Sequence, residues 1–212
     1  RDETALRELR ASLPDASAHE IWVQDLADPG AVGSALEALL AEKGWAVSAF
    51  VHVAGVFAVW QTRSLDMDAV RRMFDVNVFS AIEISRQLTR KRVNQGALTN
   101  ILFVSSIASR IGLKGYQAYA ASKGALNALA RSLAVELAPQ VRVNCILPGG
   151  VETKSTGLFF STPEMAAKTV AGVPLGAGGV DDVAAMAEFL LSADARWITG
   201  QEFVVDGGRS IV

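Results

Sequence analysis

The sequence predicts one α/β domain built on a parallel sheet with helices on its faces, and three observations support this. Strand-like apolar runs alternate with helix-period segments along the 212 residues, the pattern of a parallel sheet covered by helices. Half the residues are apolar and the formal net charge is -2, which suits a single core and leaves no basic field for nucleic acid. Gly55, Ser106 and Pro148-Gly149 all fall just after predicted strands, the end of an open parallel sheet where ligands bind.

Each element follows from local pattern. Thr4 to Leu13 carries Leu6, Leu9 and Leu13 at helical spacing. Ile21 to Leu26 reads as a strand, and Asp28-Pro29 opens a helix to about Lys43 that Gly44 closes. Ala49 to Val53 is the next strand, ending at Ala54-Gly55, and a long helical stretch with room for an interruption follows from about Asp66 to Gln95. Ile101 to Val104 reads as a buried strand ending at Ser105-Ser106, followed by a helix from Tyr119 to about Leu137. Val141 to Leu147 is a further strand, with a loop from Pro148. Helices over Glu164 to Val170 and Asp181 to Leu191 precede a last strand, Phe203 to Val205, capped by Asp206-Gly207-Gly208. The longest apolar runs, such as Ala46 to Val59, are too broken to span a bilayer. Cys145 is the single cysteine and lies in a buried run, so a packed thiol in a reducing cytoplasm is expected. The four tryptophans read as packing residues, with Trp60 also placed to border a pocket.

Tyr119 and Lys123 are four residues apart on one helix, so they share a face about one turn apart. An ammonium beside a phenol lowers the phenol's pKa from about 10 and makes it a usable acid and base. Ser106 stands thirteen residues before Tyr119. Its rival Ser105 points the other way at a strand end, and Tyr116, the rival of Tyr119, has only Ala120 four residues on. Tyr116 is expected to line the substrate entrance. His52, on a buried strand with no cluster of ligands suggesting a metal, reads as a satisfied core histidine.

Together these motifs resemble the short-chain dehydrogenase/reductase family, over essentially the whole sequence. Asp25-Leu26 resembles the acidic residue after the third strand that borders the adenine ring, and Ala54-Gly55 the end of the family's fourth strand. Asn77, Ser106, Tyr119 and Lys123 match its catalytic tetrad. Pro148-Gly149-Gly150-Val151-Glu152-Thr153 resembles the loop that receives the nicotinamide, and Ile198 to Gly208 the carboxyl-terminal pattern. The resemblance implies a Rossmann-like doubly wound fold. It also implies an NAD(P)-dependent oxidoreductase interconverting a carbonyl and a secondary alcohol, of the 3-oxoacyl-reductase kind. Tyr119 is the implied acid/base, Lys123 its modulator and a ribose ligand, Ser106 the oxygen holder, and Asn77 the support of a helix kink and a water. Val151 is implied to meet the carboxamide through its backbone, and Thr153 to bond the carboxamide or the phosphates. A homodimer or homotetramer is implied as well, and the loop and helix from about Ser155 to Gly172, with Leu158, Phe159, Phe160 and Met165, is expected to roof an apolar pocket.

Two departures stand out. His52-Val53-Ala54-Gly55 replaces the family's Asn-Asn-Ala-Gly, and the Gly-rich phosphate turn with its first strand is not among the 212 residues. By analogy roughly forty upstream residues are expected in the working protein. Without them Ile21 to Leu26 lacks a ladder partner and the Ala49 strand becomes an apolar edge. Arg1 stands where NADP-preferring members place an arginine against the 2′-phosphate, so NADP is expected ahead of NAD. The alternative is a non-catalytic scaffold of the same fold that lacks the nucleotide loop.

Overall fold

A computed structural model describes residues 2–153, 156–157 and 161–212. Four parallel strands lie side by side in chain order: β1 (Ala49–His52), β2 (Asn100–Val104), β3 (Arg142–Pro148) and β4 (Glu202–Val205). The helices are α1 (Glu3–Ser12), α2 (Pro29–Lys43), α3 (Met67–Phe74), α4 (Ser80–Thr89), α5 (Lys91–Asn94), α6 (Gln117–Leu137), α7 (Pro163–Val170) and α8 (Val180–Leu191).

Successive side chains on a strand point to opposite faces, and here each face has its own core. Ile101, Phe103, Val143, Cys145 and Leu147 pack with residues of α2, α4 and α6. Leu102 and Ile146, between them in sequence, pack with Leu190 of α8. Because both faces are covered, Ile101 to Val104 of β2 and Cys145 to Leu147 of β3 read as continuous apolar runs instead of alternating ones. This is the doubly wound arrangement.

Helix ends follow the chemistry of their caps. Asp28 accepts from Ala31 N at 3.0 Å and Gly44 closes α2 at φ 66°, a conformation that glycine adopts without strain. Asp66 accepts from Asp68 N and Ala69 N at the start of α3. The long helix expected over 66–95 is broken twice, by a π turn over Asp75–Phe79 and by extended backbone at Arg90.

The strand expected over Ile21 to Leu26 does not form. No strand of the described sheet lies beyond β1 on that side, and a strand exists through its ladder. Trp22 and Leu26 still pack on the larger core. Val51 and Val53, on and just after the edge strand, are 38% and 65% exposed. The tryptophans do not all pack, since Trp197 is 96% exposed.

Candidate active site

The ends of β1, β2, β3 and β4 open onto one cavity of about 850 Å³. Gly55, Ser106, Tyr119, Lys123, Pro148, Gly149, Val151 and Thr153 all line it. Asn77 lies behind the wall, wholly buried. Asp25 and Leu26 are elsewhere: Asp25 is exposed and accepts from Ala27 N, and Leu26 packs on the core. Ala54 does not line the cavity, and Arg1, Lys154, Ser155, Leu158, Phe159 and Phe160 lie outside the described residues.

Lys123 is 4% exposed and donates from Nζ to the Val104 carbonyl at 2.8 Å. Burial lowers its pKa to about 8, with a smaller opposing effect from Cys145. Its Nζ lies 5.8 Å from the Tyr119 ring centroid. Tyr119 is itself pushed up from the ordinary phenol value by burial, against a lowering hydrogen bond with the Ser106 side chain. The phenol therefore lies above its ordinary value, against the net lowering expected from Lys123. Desolvation of the neutral-preferring phenol outweighs the other contributions, and Nζ is turned to the Val104 carbonyl.

Ser106 Oγ accepts from Ala108 N at 3.1 Å, leaving its own hydrogen free to donate to the Tyr119 oxygen. Ser105 instead donates to the Lys123 carbonyl at 3.0 Å and braces α6. Asn77 Oδ1 accepts from Val56 N at 2.7 Å, while Nδ2 donates to the Val56 carbonyl at 3.1 Å and to Ser122 Oγ at 3.0 Å. The tetrad is thus held from three sides, by β2, α6 and the π turn.

Close packing excludes a side chain at Gly149 and leaves little room for one at Gly55. A Cβ on Gly55 would sit 3.3 Å from Lys123 Nζ and 3.4 Å from Asn77 Oδ1, and one on Gly149 would sit 2.8 Å from Asp206 Cα. Asp206 closes the turn after β4 by accepting from Gly208 N and Ser210 N.

Phe57 was not singled out from the sequence. Its ring meets Tyr119 edge-on at 5.0 Å and Tyr116 at 5.1 Å, forming an aromatic wall beside the phenol. Its loop is pinned to the one before α6, where Trp60 N donates to Gly115 O at 3.1 Å and Gln117 Nε2 donates to Trp60 O at 3.0 Å. The signal was its place two residues after Gly55. Tyr116 does line the cavity; Trp60 and Met165 do not. Among the described residues no cluster of three or more His, Cys, Asp or Glu could hold a metal, and no helix is long and apolar enough to cross a membrane.

A family model described as enoyl-(acyl carrier protein) reductase matches residues 1–210. An uncharacterized oxidoreductase of Methylorubrum extorquens is 37% identical over 161 residues, 74% of this chain and 64% of that protein. A D-erythrulose reductase of Gallus gallus is 37% identical over 143 residues, 66% of this chain and 58% of that protein. The chain thus spans less than two thirds of the length of these curated relatives. The solved structure of a 4-hydroxyisoleucine dehydrogenase mutant, complexed with NADH and succinate, superposes with a TM-score of 0.89 at 25% identity, covering 100% of this chain and 86% of that one. With the tetrad residues gathered at the carboxyl edge of a doubly wound sheet and these matches along the chain, the protein belongs to the short-chain dehydrogenase/reductase family.

Proposed function

We propose that the protein is an NAD(P)-dependent oxidoreductase that interconverts a carbonyl and a secondary alcohol, with Tyr119 as general acid and base. The observation that carries this is the convergence of Ser106, Tyr119 and Lys123 on one cavity, with Asn77 bracing two of its walls. A nicotinamide dinucleotide suits the residues present. Gly55, Gly149 and Val151 border the open cavity at the strand ends, and Lys123 keeps two further N–H donors beyond the one given to Val104. Pro148, Gly149, Val151 and Thr153 would hold its nicotinamide end, and Lys123 its ribose. Bound there, the nicotinamide supplies or accepts a hydride at the substrate carbon.

The protein's own groups handle the proton. Burial keeps Tyr119 as a phenol at neutral pH, the form that gives a proton to a carbonyl oxygen. Ser106 steadies the same oxygen as charge develops on it. Lys123, near its midpoint at about pH 8, carries an ammonium at neutral pH that stabilises the phenolate left behind.

Phe57, Ile111, Tyr116 and Val173 line the cavity, which favours an apolar ketone or alcohol. NADP ahead of NAD is proposed on Arg1 alone, by the affinity of guanidinium for a 2′-phosphate. A homodimer or homotetramer is proposed from the exposed apolar residues Phe79 on the π turn, Ile82 on α4 and Val135 on α6, and a cytoplasmic location from the single buried thiol, Cys145.

The test is turnover of cyclohexanone by the full-length natural protein with NADPH or NADH, followed by loss of the reduced-nicotinamide absorbance. Tyr119→Phe should lower kcat by about 100-fold or more while cofactor binding persists. Equal activity in both proteins would remove Tyr119 from the chemistry.

A further inference from the structure

His52 ends β1 at the position where the family pattern has an amide. The residue is 2% exposed. Its ring sits against Phe50 and Phe103, with centroids at 5.9 and 6.4 Å. Phe103 meets it edge-on at 83°, so packing sets the plane of the imidazole. Nε2 lies 3.2 Å from the backbone oxygen of Asn77. A carbonyl oxygen can only accept, so Nε2 carries the hydrogen and the contact selects the tautomer. Burial, with the Lys123 charge adding to it, lowers the ring's pKa to about 4, and the imidazole stays neutral with that one donor.

The carbonyl it holds belongs to the π turn Asp75–Phe79. The Asn77 side chain clasps Val56 by both backbone groups and donates to Ser122 Oγ. Ser122 Oγ in turn donates to the Tyr119 carbonyl at 2.8 Å. Asn77 therefore joins the segment after β1 to the helical turn that carries Tyr119 and Lys123, and His52 grips Asn77 from the sheet. A core histidine satisfied by any nearby carbonyl would have no such connection.

We propose that His52 is a positioning residue, its Nε2–H anchoring the π turn so that Asn77 keeps Gly55-Val56 and the Tyr119-to-Lys123 turn in register. The kinetic half of this proposal rests on the dehydrogenase activity proposed above; the hydrogen bond itself does not.

Two variants of the full-length protein, assayed with its nicotinamide cofactor and cyclohexanone, test it. His52→Phe keeps an aromatic ring against Phe50 and Phe103 but has no donor, and His52→Gln returns an N–H at similar reach. His52→Phe should lose about ten-fold in kcat, as removal of one functional hydrogen bond allows, with KM changed by less than about two-fold. His52→Gln should recover most of the loss. A wild-type kcat in His52→Phe, or equal losses in both variants, would overturn the proposal. Nitrogen NMR of the wild-type imidazole provides a readout independent of turnover and of variant folding. The Nε2–H tautomer, still neutral at about pH 5, is expected, and the Nδ1–H tautomer would overturn the anchor. Failure of the dehydrogenase reading would show separately, as wild-type protein that does not turn over and is indifferent to Tyr119→Phe.

Discussion

Lys123 lines the site while His52 and Cys145 are buried close enough to feel its charge, and burial moves each toward its neutral form: His52 to about 4, Lys123 to about 8 and Cys145 up to about 12. The same desolvation raises Tyr119, so the site is pre-set by exclusion of water before any ligand adds its own contribution. His52 yields a stability prediction. Its pKa is about 4 when folded and 6.5 in the reference state, so between these values the unfolded chain binds a proton that the folded one refuses. Stability from this residue is complete above pH 6.5 and is lost as pH falls toward 4, by about 3 kcal/mol in total. Lys123 on α6 is the charge that faces it and acts in the same direction. Denaturant melts at stepped pH should show that loss in the wild-type protein and a flatter acid profile in His52→Gln.

Three elements meet at Glu202, the first residue of β4. Its carboxylate accepts from Arg110 Nε at 2.9 Å, from Asn127 Nδ2 at 2.9 Å, and from Arg131 Nη1. The turn after β2 and the middle of α6 are thereby fastened to the last strand. The Glu202 side chain is 10% exposed, while the two guanidinium groups are about half exposed, so screening by water reduces the ion-pair contribution and the hydrogen bonds carry most of it. Glu202→Ala should cost about 1–2 kcal/mol and lower the melting temperature by about 2–8 °C, measurable by calorimetry. Activity per folded molecule should fall as well, because α6 also carries Tyr119 and Lys123. Unchanged melting would show that Asn127 and the arginines find equivalent partners without it.

Across the whole molecule the apolar surface is unevenly covered. The two faces of the sheet are packed, but β1 is an edge, and Val51 and Val53 stand exposed there. An apolar strand edge is a template for pairing with another strand. The 212-residue chain expressed alone should therefore self-associate through this edge. Val53→Lys should lower its light scattering at equal concentration, since charge on an edge strand opposes such pairing. Scattering that persists in the variant would place the association on another apolar surface, such as the one around Trp197.

The alternation of apolar strands with helical segments, the capping residues Asp28, Gly44 and Asp66, and the spacing of Ser106, Tyr119 and Lys123 were all legible in the sequence, because each depends on neighbours within a few residues or on a fixed helical period. The strand expected at Ile21 to Leu26 was not decided there, since a ladder depends on what lies beside it. The upward shift of Tyr119 is not legible in the sequence for a related reason: helical spacing places Lys123 nearby, but only packing shows how deeply the phenol is buried and that Nζ turns to Val104. Phe57 gave no periodic signal, because its role comes from a loop pinned across the cavity by Trp60 and Gly115. His52 looked like a core residue, and locally it is one. What it holds, the carbonyl of Asn77 twenty-five residues on, is set by the meeting of β1 with a π turn, which local pattern does not encode.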